Sequence, residues 1–351
     1  MPHHGATVIR QRALVFGTLT AALVAAAVLS VAVGAVPVSP RTLLQLLALK
    51  LGIPGLGAPD ARDVTILFLL RLPRVLAAIL VGSSLAVCGV VMQGLFRNPM
   101  ASPEILGLSA GGSLGAVAAI TAGLGAGSVL ALPAFTIVGA LVSASCIYLL
   151  SSSRGTTSLL YIVIAGMAIS SLFNGITSAL LLFSREYQVT QFIFWTMGGL
   201  DGRGWQHILA SAPILVPGIV VLSLFSRELN LFTVGEEQAR SLGMNVETIK
   251  RVLLVLSAIV TGVAIAVAGP VGFVGLLVPH LMRFLVGPDH RALLPAATLG
   301  GGLFLVLCDL VGRVLIPPLE IRVGIITAIL GSPYLLLLIV RIQRRSAVGA
   351  R

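Results

Sequence analysis

The spacing of charges constrains this chain more than any other feature. Arg74 and Arg97 bracket 22 residues, Val75 to Phe96, that carry no charge. At 1.5 Å per residue that is the length of one helix across a bilayer. The pattern recurs along the chain. Apolar stretches run over 13–34, 75–96, about 105–124, about 131–151, about 159–183, about 207–226, 252–268, about 271–287, about 292–312 and 323–340. Residues 105–153 hold 49 uncharged positions and need two helices, parted near Gly123, Gly127 and Pro133. Only 10% of the chain is charged and 57% is hydrophobic, with a mean hydropathy of +1.06; a soluble domain carries about 25% charge. The expected fold is therefore all-α, a polytopic membrane protein with one domain over 1–351, embedded from 13 to 340. The first stretch is too long for a signal-peptide core of roughly 7–15 residues, and reads as a retained helix.

Orientation follows from the basic residues. The difficult region is 252–282, which is uncharged and interrupted by Gly269-Pro270. If it forms two spans, the chain has ten and both termini are cytoplasmic. Fourteen of the 23 basic residues then lie inside and nine outside. If it forms one span, the count becomes 10 inside and 13 outside. The inside-positive preference selects ten spans. A loop of about 40 residues rich in Pro, Gly and Leu joins the first two spans; of the other connections two are long, 184–204 outside and 227–250 inside, and these two are where a partner could dock.

Several functions are excluded or left without support. The net charge of +11 comes from arginines scattered singly between apolar runs, with no aromatic–basic stripe, so it reads as membrane topology and not as nucleic-acid binding. Cys88, Cys146 and Cys308 lie in apolar runs, form no C-x-x-C pair and read as small buried hydrophobes. No metal site is evident. His280 stands without a second ligand. Gly107-Leu108-Ser109-Ala110-Gly111 fits the nucleophile elbow G-x-S-x-G, but that motif needs a preceding strand and nearby His and acid partners, which the sequence does not supply. Asp309 and Arg313 are four apart, share a helix face and read as an ion pair. A proton-coupled carrier would be expected to hold more acids deep in the bilayer. The chain has no G-x-x-x-x-G-K-[ST] loop, so it does not bind ATP in that way.

Three blocks carry more than topology. The first is Arg71-Leu-Pro-Arg74 with Met92 to Gly107, where Pro99 and Pro103 stop a helix and specify a tight turn. The second is Val234 to Gly243, where Glu236 to Leu242 suits two helical turns closed by Gly243, with Glu236, Ala239 and Leu242 on one face. The third is Gly269-Pro-Val-Gly-Phe-Val-Gly-Leu-Leu-Val-Pro-His-Leu-Met-Arg283, in which a helix breaks at membrane depth. Together these blocks resemble the permease subunits of bacterial ATP-driven importers for vitamin B12, haem and iron–siderophore complexes, the FecCD-like type II importers, over Arg71 to about Leu338.

The resemblance implies a type II ABC importer permease fold with ten transmembrane helices per subunit in the bacterial inner membrane. It implies a second permease copy or sister permease, two ATPase subunits that hold ATP and Mg, and a substrate-binding protein. No cofactor is expected on this chain and no covalent chemistry. Asn98 and Met100 match the family's cytoplasmic gate, and Ser158, Leu159 and Leu160 its second gate segment. Gly235, Glu236, Ala239, Arg240, Leu242 and Gly243 match the helix that couples to the ATPase. Arg71, Arg74 and Arg313 match arginines that grip the binding protein from the outer surface, and Arg322 stands where a proline is common. The segment Phe194 to Trp205 is more similar to the iron–siderophore and haem branches than to the cobalamin branch. An ion-coupled secondary transporter is the rival of another class.

Overall fold

A helix that is apolar around its whole circumference satisfies its own backbone groups and needs only apolar surroundings, and such helices build this molecule. The computed structural model describes residues 3–34, 60–104, 107–124, 130–153, 156–157 and 159–349, together with residues 42 and 45. The helices are α1 (His3–Ala32), α2 (Ala61–Leu95), α3 (Leu108–Thr121), α4 (Ala131–Ser151), α5 (Leu159–Leu182), α6 (Glu186–Thr196) and α7 (Trp205–Leu224). They continue with α8 (Ser226–Val234), α9 (Glu236–Ser241), α10 (Val246–Ala268), α11 (Val274–Val286), α12 (His290–Val314) and α13 (Val323–Gly349). A hairpin of two-residue strands, Ser152–Ser153 and Thr156–Thr157, joins α4 to α5. Among the described residues seven helices are long and apolar enough to cross a membrane, and three shorter apolar segments accompany them at Leu108–Thr121, Val274–Val286 and Val323–Leu338. Each of the ten apolar stretches in the sequence holds one of these helices.

α2 is the centre of the bundle. Every residue from Val81 to Phe96 is buried, and α2 packs on α7, α10, α11 and α12. Close packing of backbones replaces the hydrophobic drive that lipid cannot supply. A Cβ at Gly82 would strike the carbonyl oxygen of Gly301 on α12, and one at Gly89 would strike that of Gly275 on α11. Gly111 of α3 and Gly139 of α4 meet in the same way. Large apolar side chains such as Leu149, Leu150, Phe183, Leu209 and Phe284 face outward, as a lipid-facing or subunit-facing surface requires.

Two expectations are corrected, and the break expected at Gly269-Pro270 is found. The second span does not begin at Val75: α2 starts at Ala61, capped by the Asp60 carboxylate on the Arg62 N–H. It carries Arg71 and Arg74 on helix, through a π-helical turn over Ile66–Arg71. The wide turn stands just before Pro73, which has no N–H to give and whose ring crowds the preceding carbonyls. The outer connection 184–204 is not plain loop. It holds α6, whose Phe192 and Trp195 pack on Ala116, Val117 and Ile120 of α3. The region 252–282 does split at Gly269-Pro270. Gly269 takes φ +69°, and a Cβ there would strike the carbonyl of Trp195. The C-terminal carbonyl of Ala268 is not orphaned, because the Gly199 N–H donates to it at 2.7 Å.

Candidate docking, gate and coupling sites

At the end of the bundle expected to face outward the arginines come together, but not as free surface charges. Arg71 is 6% exposed and Arg313 3% exposed. Arg71 donates to the carbonyls of Val31 and Ala32 at 2.9 and 2.7 Å. Arg313 donates to the carbonyl of Ser30 at 3.0 Å and to its hydroxyl, and to the carbonyl of Val33 at 3.3 Å. Both therefore cap the C-terminus of α1, where four carbonyls lack helical partners and the helix dipole favours a cation. This corrects the expectation that all four arginines reach outward. Arg74 bridges two carboxylates, Asp309 at 3.0 Å and Glu320 at 2.7 Å, and Asp309 pairs with Arg313 at 3.0 Å, as the i,i+4 spacing indicates. Arg322 pairs with Asp201 at 3.1 Å and lies over the Phe194 ring at 5.0 Å. Arg71, Arg74, Asp201, Arg203, Arg313 and Glu320 line an open cavity of about 370 Å³. Arg203 was not foreseen from the sequence. Burial holds its guanidinium below its ordinary value, against the pull of Asp201.

At the inner end of α2 the turn forms as the prolines require. Arg97 adopts φ +49°, and the Asn98 side-chain oxygen accepts the Met100 N–H at 2.9 Å, an Asx turn that fixes the gate segment. The chain then folds back beside α11, and the Glu104 carboxylate lies at the α10–α11 break, 3.7 Å from where a Cβ on Gly272 would stand. Of the second gate segment, Ser158 lies outside the described residues. Leu159 and Leu160 open α5, and their side chains lie outside the description.

The coupling segment is helical over Glu236–Ser241 and closes with the Gly243 N–H on the Arg240 carbonyl and the Met244 N–H on the Ala239 carbonyl. That is the paired bonding of a glycine-ended helix, and Gly243 takes φ +85°. Gly235, at φ +136°, turns the chain out of α8 into α9. Ala239 is 0% exposed, whereas Leu242 is 69% exposed. The expectation that Glu236, Ala239 and Leu242 share one face is therefore corrected: Ala239 joins the buried core, whereas Leu242, whose N–H still donates to the Gln238 carbonyl at 3.1 Å, is exposed in the last turn. Glu236 pairs with Lys250 at 2.8 Å and Arg240 with Glu247 at 3.5 Å, which ties α9 to α10. The face left for a partner is formed by Val234, Glu237, Arg240 and Leu242.

Other readings lose ground. Ser109 lies in the first turn of α3 after a loop, not on a strand-to-helix elbow, and its buried hydroxyl has no hydrogen-bond partner among the described residues. His280 meets the Tyr334 ring edge-on at 5.8 Å. Among the described residues no group of three His, Cys, Asp or Glu side chains is arranged to hold a metal. Sequence reasoning missed one further cluster at the inner end, formed by Asn230, Asp289 and His290. Asp289 caps α12 through the Arg291 N–H at 3.1 Å. The hydrogen bond from Asn230 holds its carboxyl below the ordinary value, helped by Arg291 and Arg12.

Known proteins are similar to this chain in sequence and fold. The model of the FecCD transport family matches residues 22–341. The cobalamin import system permease protein BtuC of Halobacterium salinarum is 42% identical over 81% of this chain and 75% of its own length. The hemin transport system permease protein HmuU of Yersinia pestis is 40% identical over 89% and 99%. The Fe(3+) dicitrate transport system permease protein FecD of Escherichia coli is 35% identical over 93% and 98%. A structure solved as a metal-chelate type ABC transporter in an inward-facing conformation superposes with a TM-score of 0.81 and 33% identity, covering 93% of this chain and 99% of that one.

Proposed function

This chain belongs to the FecCD transport family and is an ABC importer permease of the type II fold, and we propose that its cargo is an iron chelate, an iron–siderophore complex or haem. The observation that carries the cargo is the end-to-end correspondence with the permeases named for hemin and Fe(3+) dicitrate. Cobalamin is the second reading, favoured by the 42% identity to a permease named for it.

In the proposed assembly two permease copies enclose the pathway across the inner membrane, each with ten spans and both termini in the cytoplasm. Two ATPase subunits, which carry the ATP and Mg, dock on the faces of α9 left open by Leu242, Arg240 and Glu237. The binding protein seats on the outer cavity, where Arg74 and Arg322 keep part of their surface and Arg71 and Arg313 hold the rim in place from below. Asn98 and Met100, with the segment Ser158, Leu159 and Leu160, close the pathway on the inner side. Closure of the ATPase pair moves α9 and alternates the inner gate with the outer mouth. The chain binds no cofactor of its own.

The test is uptake into liposomes that hold the permease with its ATPase and binding protein. ATP-dependent accumulation of haem or a ferric siderophore, undiminished by excess cobalamin, is the expected result. Accumulation of cobalamin alone overturns the cargo, and accumulation with no ATPase present overturns the importer mechanism.

A further inference from the structure

α8 leads directly into α9 and is held at one point by directional polar bonds. The Asn230 side-chain oxygen accepts the backbone N–H of His290 at 2.9 Å and its ring Nδ1–H at 2.8 Å. The Asn230 amide nitrogen donates to Asp289 at 2.9 Å. That donation fixes the amide's orientation, so its oxygen faces His290 and the Nδ1 atom must carry the proton. The Asp289 carboxylate in turn faces Arg12 of α1 at 3.4 Å. The far side of the imidazole bears on α2. His290 Nε2 is buried without a hydrogen-bond partner, and a Cβ at Gly94 would stand 2.7 Å from it. Leu229 of α8 flanks the same glycine, with its Cδ2 atom 3.2 Å from that Cβ position. Gly94 is in the last turn of α2, and its carbonyl accepts the N–H of Arg97, the residue that turns the chain into Asn98 and Met100.

We propose that Asn230, Asp289 and His290 are a positioning clamp that passes movement of α8 and α9 to the inner end of α2 and the gate turn behind it. The proposal rests on reading α9 as the ATPase-coupling helix. An apolar contact slides when one helix shifts. An amide that uses both its donor and its acceptor on one helix N-terminus does not slide without breaking bonds. α8 therefore moves with the start of α12, and the imidazole carries that displacement onto Gly94. The clamp residues touch neither cargo nor nucleotide, so they act by position.

The experiment uses the complete importer in liposomes and reads cargo taken up per ATP hydrolysed. Asn230→Asp keeps the acceptor for His290, removes the donor and sets two carboxylates side by side. Uptake per ATP should fall roughly tenfold, the size of one charge-assisted hydrogen bond lost, while ATPase subunits still co-purify. Asp289→Asn retains the acceptor and should change the ratio little. In the double variant the new amide at position 289 donates to the new carboxylate at 230, and the ratio should recover most of the loss. A merely structural role would lower assembly and leave the ratio unmoved. If Asn230→Asp does not assemble, Gly94→Ala wedges the same contact with all hydrogen bonds intact and should show the same uncoupling. An unchanged ratio in whichever of Asn230→Asp and Gly94→Ala assembles, or a double variant no better than Asn230→Asp, overturns the clamp. Failure of the wild-type importer to couple uptake to ATP overturns the coupling-helix reading itself, and is visible before any variant is made.

Discussion

Asp309 offers the sharpest test of how the outer end is held together. Its carboxylate is 2% exposed and lies between two guanidinium groups, Arg74 and Arg313, each at 3.0 Å. Asp309→Asn preserves the shape and removes the charge. Arg313 then has no carboxylate within ion-pair distance, and Arg74 keeps only Glu320. Stripping one partner from a buried pair costs about 3–5 kcal/mol, because the remaining charge stays buried without compensation. Arg74 retains some contact with solvent, which sets the expectation at the lower end, about 3 kcal/mol. The loss should spread to α1, since Arg313 holds its C-terminal carbonyls. Reversible unfolding in detergent micelles measures the cost. Arg313→Met alone should also destabilise, and the double variant should cost less than the sum of the singles by about 1–3 kcal/mol, as residues in one ionic network do. A cost below about 1 kcal/mol for Asp309→Asn, or strict additivity in the double variant, would show that the network does not bear on stability.

Further predictions address packing, docking, pH and topology. Gly301→Ala puts a methyl against the Gly82 carbonyl and 2.6 Å from the Ala86 Cβ, and should cost about 1–3 kcal/mol in the same unfolding assay, whereas Gly17→Ala, inside α1 with nothing within 4 Å, should cost nothing and stabilise by up to about 1 kcal/mol. Leu242→Trp should leave unfolding unchanged but abolish co-purification of the ATPase subunits; retention of the ATPase at wild-type yield rules out this face as the docking surface. The Asp289 carboxyl is depressed below its ordinary 3.8, so its stabilising contribution is full above that value and is lost as pH falls through the lower folded value. The stability difference between wild type and Asp289→Ala should thus be flat from about pH 5 to 8 and shrink below about pH 4. Arg10→Cys and Arg345→Cys should both resist an impermeant thiol reagent in intact cells, and labelling of the Arg345 position alone would mean an odd number of spans.

The parts of this structure that were legible in the sequence are those governed by local chemistry. A run without charge marks a membrane helix because a charge there is costly. Pro99 and Pro103 stop a helix, Gly269-Pro270 breaks one, and Gly243 ends one, each through its own backbone. The four-residue spacing of Asp309 and Arg313 gave their ion pair for the same reason. What the sequence concealed depends on neighbours far along the chain. Asn230 and His290 are 60 residues apart, and no local pattern announces their bond. The burial of Ala239 depends on α8 and α10, which pack against the short α9, and the spacing of Glu236, Ala239 and Leu242 gives no sign of those neighbours. α6 lies within what was read as a connection, yet Phe192 and Trp195 at helical spacing marked an apolar face.

The arginines carry the more general point. Arg71 and Arg313 were assigned outward from the ten-span topology and from their match to the family's docking arginines. Their positions serve a different need. A helix end near the hydrocarbon leaves carbonyls with no water to bond, and an unpaired group there costs several kcal/mol by rough measure. Arg71 and Arg313 supply the missing donors to α1, and Gln188 of α6 does the same for α3, donating to the carbonyls of Ile120 and Thr121 at 3.1 and 3.0 Å. Burying a guanidinium for this purpose is tolerable only with a counter-charge beside it, which explains the place of Asp309 between Arg74 and Arg313. The carboxylate then fixes Arg74 at the rim of the outer cavity, with Glu320 on its exposed side. A binding protein that presents its own carboxylate to Arg74 would have to displace Glu320, not Asp309, since only the Glu320 contact lies toward solvent. Glu320→Gln should therefore tighten binding-protein docking while Asp309→Asn loosens the permease itself, and docking affinity measured beside unfolding separates the two. Equal effects of both substitutions on docking would mean that Arg74 is not the group the partner engages.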